Sequence, residues 1–149
     1  MIAFVLTCPL LTSCILYYDD YEIPIIGDFY VSRANLRDCW LIHWEDISNS
    51  IDRDTIIDTY VREYCNNDRY IGIKQVTLPD DILDLTSDEY ETTLKELTPV
   101  YYLVDSQTRD VYGPYENATE YSNKLQELEI SDMSEWKYTY PRPKNALPY

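Results

Sequence analysis

The sequence predicts an α+β fold, an antiparallel meander sheet of five or six strands with two helices late in the chain. A hairpin is the clearest signal, because the alternating segment 56–65 and the segment 69–77 flank the turn 66–68, Asn-Asn-Asp, whose residues tolerate left-handed geometry. The segment 39–45 is rich in aromatic and β-branched residues, which favour strands. A helix-capping pattern in two later places predicts the helices.

Both helices are predicted from their first residues. Thr86 and Glu89 have the spacing of a capping box, in which each side chain accepts a hydrogen bond from the other residue's backbone, and this helix is expected to reach about Leu97. Asn117 begins a second helix, expected to reach about Leu128, whose apolar residues recur at helical spacing and would pack on the sheet. The remaining strands are predicted at 29–33, 100–104 and 111–112.

One choice of strand register connects two cysteines. If 39–45 pairs antiparallel with 57–65 so that facing residue numbers sum to 104, Cys39 lies opposite Cys65 and two pairs of aromatic residues also face each other. Directly opposed Cβ atoms lie about 4.5–5.5 Å apart, which is roughly the reach of a disulfide. The alternative is that the two cysteines are buried free thiols in separate places.

Composition and charge argue against several classes of function. The chain has 149 residues, with 12 Lys and Arg against 27 Asp and Glu, and its net charge of −15 repels phosphate backbones, so no nucleic-acid partner is predicted. Its three glycines stand singly and cannot form the usual phosphate-binding loops. With one histidine and no Cys-x-x-Cys pair, the sequence predicts no metal site and no cofactor.

The first residues resemble a bacterial lipoprotein signal. The apolar run 2–11 is too short to span a bilayer but has the length of a signal core, and it ends in Leu11-Thr12-Ser13-Cys14, which resembles a lipobox. This resemblance implies cleavage before Cys14 and a diacylglycerol on its thiol. A usual signal begins with a positively charged region, but the segment 1–13 has no Lys or Arg. A true start upstream of Met1 would explain this difference. The alternative is a buried N-terminal strand at 3–6.

These observations divide the chain into four segments. Three prolines in the last segment exclude a regular helix there. The segments are a signal at 1–13, a tether at 14–27, a single α+β domain at 28–136 and an extended tail rich in Pro and Tyr at 137–149.

Few residues are candidates for catalysis. His43 could act as a general base with Glu45, or with Glu63 as a diagonal neighbour, but a half-buried sheet histidine is the favoured interpretation. The acidic residues at 80, 81, 84 and 88 could bind calcium or hydrolyse a glycoside, yet a solvated surface explains them better. No catalytic residue is therefore predicted.

Tyrosine is unusually abundant, with 16 residues in the chain. Exposed tyrosines offer a large contact area at low entropic cost, which suits recognition of proteins or sugars, whereas strand tyrosines are usually half-buried. The tyrosines predicted to be exposed near the two ends are Tyr17, Tyr18, Tyr21, Tyr138, Tyr140 and Tyr149.

The segments 69–75 and 101–128, together with the lipobox, resemble a family of small bacterial lipoproteins of unknown function. The resemblance implies a non-enzymatic protein anchored through Cys14 in the cell membrane or outer membrane, outside the cytoplasm. Its domain would present a binding surface to an envelope protein or a glycan. The alternative is a small hydrolytic enzyme that uses His43 or a carboxylate pair.

Overall fold

The computed structural model describes residues 20–45, 53–58, 60–131 and 133–148. Within these ranges the chain forms two antiparallel sheets of five strands and two α-helices, which confirms the predicted α+β class and places the strands in two sheets. The strands are β1 (Tyr21–Ile26), β2 (Phe29–Arg33), β3 (Cys39–Trp44), β4 (Arg53–Ile57), β5 (Tyr60–Asn66), β6 (Tyr70–Val76), β7 (Val100–Asp105), β8 (Val111–Tyr115), β9 (Lys137–Tyr138) and β10 (Leu147–Pro148). The helices are α1 (Ser87–Glu96) and α2 (Ala118–Glu127).

The first sheet has the order β10-β1-β2-β3-β4 and the second has the order β8-β7-β6-β5-β9. A two-residue turn joins β1 to β2, and its first residue, Gly27, has a φ of +54°, which glycine adopts without a steric penalty. The predicted hairpin of β5 and β6 is confirmed, and its turn is held by the Asn67 side chain, which accepts hydrogen bonds from the backbone of Arg69 and Tyr70 at 2.9 and 2.7 Å.

The predicted pairing of 39–45 with 57–65 is wrong. β3 pairs with β4, while β5 pairs with β6 and β9 in the other sheet. The physical reason is that the predicted continuous strand 56–65 is divided near Asp58, where the chain crosses between sheets.

Cys39 and Cys65 are consequently separate, free, buried thiols. The Cys39 Sγ donates to the Val61 carbonyl at 3.2 Å. Val61 precedes Cys65 by four residues on β5, about 13 Å along an extended strand, which is too far for a disulfide.

Both helices begin where their caps predict. At α1, the Thr86 Oγ1 accepts from the Glu89 backbone at 3.5 Å and Glu89 accepts from the Thr86 backbone at 2.9 Å, a complete capping box. At α2, the Asn117 side chain accepts from the Glu120 backbone at 3.0 Å. Buried Arg62 of β5 donates to carbonyls at the end of α1 and so positions that helix against the second sheet.

The predicted tether and tail both need correction. β1 lies within the segment 14–27, so the second half of the expected tether belongs to the first sheet, while 14–19 lies outside the described residues. In the expected tail, β9 pairs with β5 and β10 pairs with β1. Residues 137–148 therefore run from one sheet to the other, and we call this segment the strap.

Arg33 is the largest fully buried side chain among the described residues, with 1% of its surface exposed. Its guanidinium carbon lies 4.5 Å from the ring centre of Tyr140 and 5.8 Å from those of Tyr21, Tyr60 and Tyr90, and we call these four rings the tyrosine cage. Nη1 donates to the Tyr60 hydroxyl at 2.7 Å. No carboxylate of the described residues forms an ion pair with Arg33, so ring faces and hydroxyls stabilise its charge.

Replacing Tyr140 by Leu should lower the free energy of unfolding by about 1–2 kcal/mol, because it removes the nearest ring from the Arg33 charge. Urea denaturation measures the change. The matched control is Tyr138→Leu in the same strap. Because Tyr138 is 43% exposed, this substitution should change stability by less than about 0.5 kcal/mol. Equal losses from the two variants would contradict the role given to the cage.

Candidate ligand-binding cleft

A cleft of about 330 Å³ opens at the end of the sheets where β1 begins. That end is defined by register, because Tyr21 at the start of β1 faces Arg33, and Arg33 faces Cys39 at the start of β3. The cleft lies between the β2–β3 loop, the β4–β5 connection and the end of β6. Its lining residues are Arg37, Asp38, Trp40, Asp58, Tyr60, Val76, Thr77 and Leu78.

The inner part of the cleft is aromatic and apolar. Trp40 is half-buried, and Val76 and Leu78 contribute aliphatic surface. Tyr60 is fixed there because its hydroxyl binds Arg33 and lies 3.0 Å from the Tyr90 hydroxyl. Burial raises the pKa of the Tyr60 hydroxyl above its ordinary value, so this side chain stays neutral. The tyrosine cage therefore holds one lining residue of the cleft in place.

The rim is built on a loop that its own side chains hold. The Asn35 side chain accepts from the backbone of Arg37 at 2.7 Å and of Asp38 at 3.0 Å, and its amide donates to the Asp38 carboxylate. The Arg37 Nη2 donates to the carbonyls of Pro79 and Asp80 at 3.1 and 2.6 Å, which ties the loop to the chain after β6. The rim thus has a defined position before any ligand arrives.

The lining residues are two aromatic, two aliphatic, two acidic, one basic and one hydroxyl-bearing: Trp40, Tyr60, Val76, Leu78, Asp38, Asp58, Arg37 and Thr77. Pockets that bind small ligands have this composition, mostly apolar with a few placed polar groups. Among the described residues, the lining contains no histidine, cysteine or serine that could serve as a base or nucleophile. The arrangement is suited to binding a ligand.

The structure places the candidate catalytic residues elsewhere. His43 is 6% exposed, and its ring packs edge-on against Phe29 with ring centres 4.8 Å apart. Glu45 pairs with Arg109, and Glu63 is held by cations of its own sheet. Acidic residues 80, 81, 84 and 88 are exposed, and no group of three potential metal ligands occurs within the described ranges.

Two of the tyrosines predicted to be exposed are buried or half-buried instead. Tyr21 is fully buried and Tyr140 is half-buried, since both belong to the cage, so their predicted exposure is wrong. Tyr138 is exposed as predicted. Tyr17, Tyr18 and Tyr149 lie outside the described residues, as does Cys14. Trp40 was not predicted as a site residue, because nothing local in the sequence distinguishes it from Trp44.

Glu22 lies in a cluster of polar side chains on the first sheet. Its Oε1 accepts from the Ser32 hydroxyl at 2.9 Å and from the Arg53 Nη2 at 3.1 Å. The Glu22 Oε2 is buried and accepts no hydrogen bond from the described residues. Burial raises the pKa of Glu22 above its ordinary value of 4.5, while Ser32 and Arg53 oppose the shift.

Fold and cleft together define a small α+β domain with a preformed cleft. A family model described as "Protein of unknown function (DUF3997)" matches residues 26–140, so the chain belongs to that family. Among curated proteins and solved structures, none is significantly similar to this chain. Within the described ranges, no helix is both long and apolar enough to cross a membrane.

We expect Cys39 and Cys65 to resist alkylation in the folded protein. Burial raises the pKa of the Cys39 thiol to about 12, although the Arg33 charge opposes the shift, and burial raises that of Cys65 to about 11. Peptide mapping after iodoacetamide treatment at neutral pH should therefore find neither residue labelled in the native chain. Both should be labelled in urea without reductant. Labelling that requires a reductant would indicate a disulfide and contradict the structure.

Glu22 should make the folded protein less stable as pH rises from about 4.5 through its raised pKa, because the native state keeps a proton that the unfolded state releases. Urea denaturation of the wild type and of Glu22→Gln across this range tests the effect. As pH rises, the unfolding free energy of the wild type should fall relative to that of the Gln variant. If the wild type instead gained stability relative to the Gln variant as pH rises, the pKa of Glu22 would be lowered and the prediction would be wrong.

Proposed function

We propose that the chain is a lipid-anchored protein of the cell envelope whose domain binds a ligand outside the cytoplasm and catalyses no reaction. The observation that carries the proposal is the sequence Leu11-Thr12-Ser13-Cys14, which resembles a lipobox and follows an apolar run of signal length. Diacylglycerol on Cys14 supplies two acyl chains, enough for stable attachment, whereas a single chain binds only weakly.

The distance from the anchor to the domain supports this arrangement. Six residues, 15–20, separate Cys14 from the start of β1. Fully extended, they span at most about 22 Å. Because the cleft lies at the end of the first sheet where β1 begins, the anchor would keep it near the membrane surface.

The charge of the protein determines how the domain stands at the membrane. A net charge of −15 repels anionic lipids, and this repulsion extends over a Debye length of about 8 Å at physiological salt. The tether is long enough to allow that separation. The domain would then remain free to meet a ligand rather than lie on the bilayer.

A hydrolytic function receives less support than binding. A histidine base needs a carboxylate that orients it and a nucleophile within reach. Glu45 and Glu63 are instead engaged by arginine and lysine side chains. The cleft holds the carboxylates of Asp38 and Asp58 but, among its described lining residues, no histidine for them to orient and no serine or cysteine nucleophile, which favours binding.

Expression in a bacterial host followed by intact-mass analysis of the membrane fraction tests the anchor. We expect the mass of residues 14–149 plus acyl groups. Cys14→Ser should remove both processing and membrane association, because the thiol that accepts the lipid is absent. Cys8→Ser, a matched change in the same segment, should be processed normally. An unprocessed wild-type chain in the soluble fraction would overturn the proposal.

A further inference from the structure

We propose that the cleft binds an alkylammonium group, carried by a free amine or by a lysine side chain. The inference deepens the proposed function by naming the class of ligand, and it rests on the binding role given there. It follows from the charges that line the cleft, the aromatic ring beside them and the volume available.

The charges favour a cation. Two acidic residues, Asp38 and Asp58, line the cleft against one basic residue, Arg37, and the Asp38 carboxylate also accepts a hydrogen bond from the Asn35 amide. Two carbonyls already accept hydrogen bonds from the Arg37 Nη2, which holds that group at the rim. The net charge of −15 adds a long-range field that raises the local concentration of cations.

The aromatic lining suits the same ligand. Trp40 is half-buried in the cleft, and an indole face attracts an ammonium more strongly than any other aromatic side chain does. Val76 and Leu78 can pack against the alkyl chain that carries the charge. A carboxylate ligand would instead meet the two aspartates, whose repulsion opposes its binding.

The volume is sufficient for a ligand of this class. About 330 Å³ lies at the lower limit of ligand pockets, which usually enclose ~300–1,000 Å³. At ~30 Å³ for a water-sized group, the cleft holds roughly ten non-hydrogen atoms. A diamine such as cadaverine or one lysine side chain fits this limit, and a folded partner would have to insert a single side chain.

Titration of the full chain in non-ionic detergent micelles tests the proposal. The probes are cadaverine and the peptide acetyl-Gly-Lys-Gly-amide. Binding is monitored by NMR of the three indole N–H signals, and the Trp40 signal is assigned with the variant Trp40→Phe. We expect saturable shifts of the Trp40 signal that weaken as salt is added. Binding of cadaverine alone would identify a free amine as the source, and binding of the peptide would identify a lysine side chain.

Two comparisons make the test specific. Asp58→Asn should weaken binding about fivefold to tenfold, whereas Asp68→Asn, the same charge change in the β5–β6 turn, should weaken it less than about twofold. Asp38→Asn should also weaken binding, which supplies a second lining variant if one variant fails to fold. Hexanoate, an anion of similar length, should leave the Trp40 signal unchanged.

The proposal is overturned if neither amine shifts the Trp40 signal, if hexanoate binds as well as cadaverine, or if Asp68→Asn weakens binding as much as Asp58→Asn. These outcomes are independent of the anchor. An acylated chain that binds no amine contradicts the ligand class alone, and a chain that binds amines without acylation contradicts the anchor alone.

Discussion

A buried arginine that meets no carboxylate among the described residues constrains the rest of the fold. Arginine remains charged in proteins, and burying an uncompensated charge costs several kcal/mol. Arg33 is compensated by the hydroxyl of Tyr60 and by four ring faces that come from β1, β5, α1 and the strap. Each of these elements must therefore occupy a fixed position for the charge to be tolerated, and the cage joins the two sheets.

The cleft depends on the same charge. Tyr60 belongs to both the cage and the cleft, so the hydrogen bond from Arg33 sets the position of a lining residue. The Tyr90 hydroxyl donates to the Leu36 carbonyl at 2.5 Å, which fixes the loop that carries Arg37 and Asp38. A preformed site loses less entropy when a ligand binds, which favours recognition of a small group.

Capping and turn signals in the sequence predicted local structure correctly at α1 and the β5–β6 hairpin, but the local hairpin of β1 and β2 was not predicted, and the other failures involve contacts between distant residues. The turn at Asn67 and the cap at Thr86 act within four residues, so the hairpin and α1 could be predicted. The division of the segment 56–65 between two sheets could not be predicted, because its alternating pattern is the same whether the segment forms one strand or two strands in different sheets. The cage could not be predicted either, since it unites Tyr21 with Tyr140 across almost the whole chain.

NMR of the Arg33 guanidinium tests the central claim most directly. A charged guanidinium inside four tyrosine rings should give an Nε–H signal shifted upfield by ring currents, with slow exchange against water and contacts to the ring protons of Tyr60, Tyr90 and Tyr140. Its signal should persist at mildly alkaline pH, where those of solvent-exposed arginines disappear. An Arg33 signal with the position and exchange rate of an exposed arginine would contradict the account.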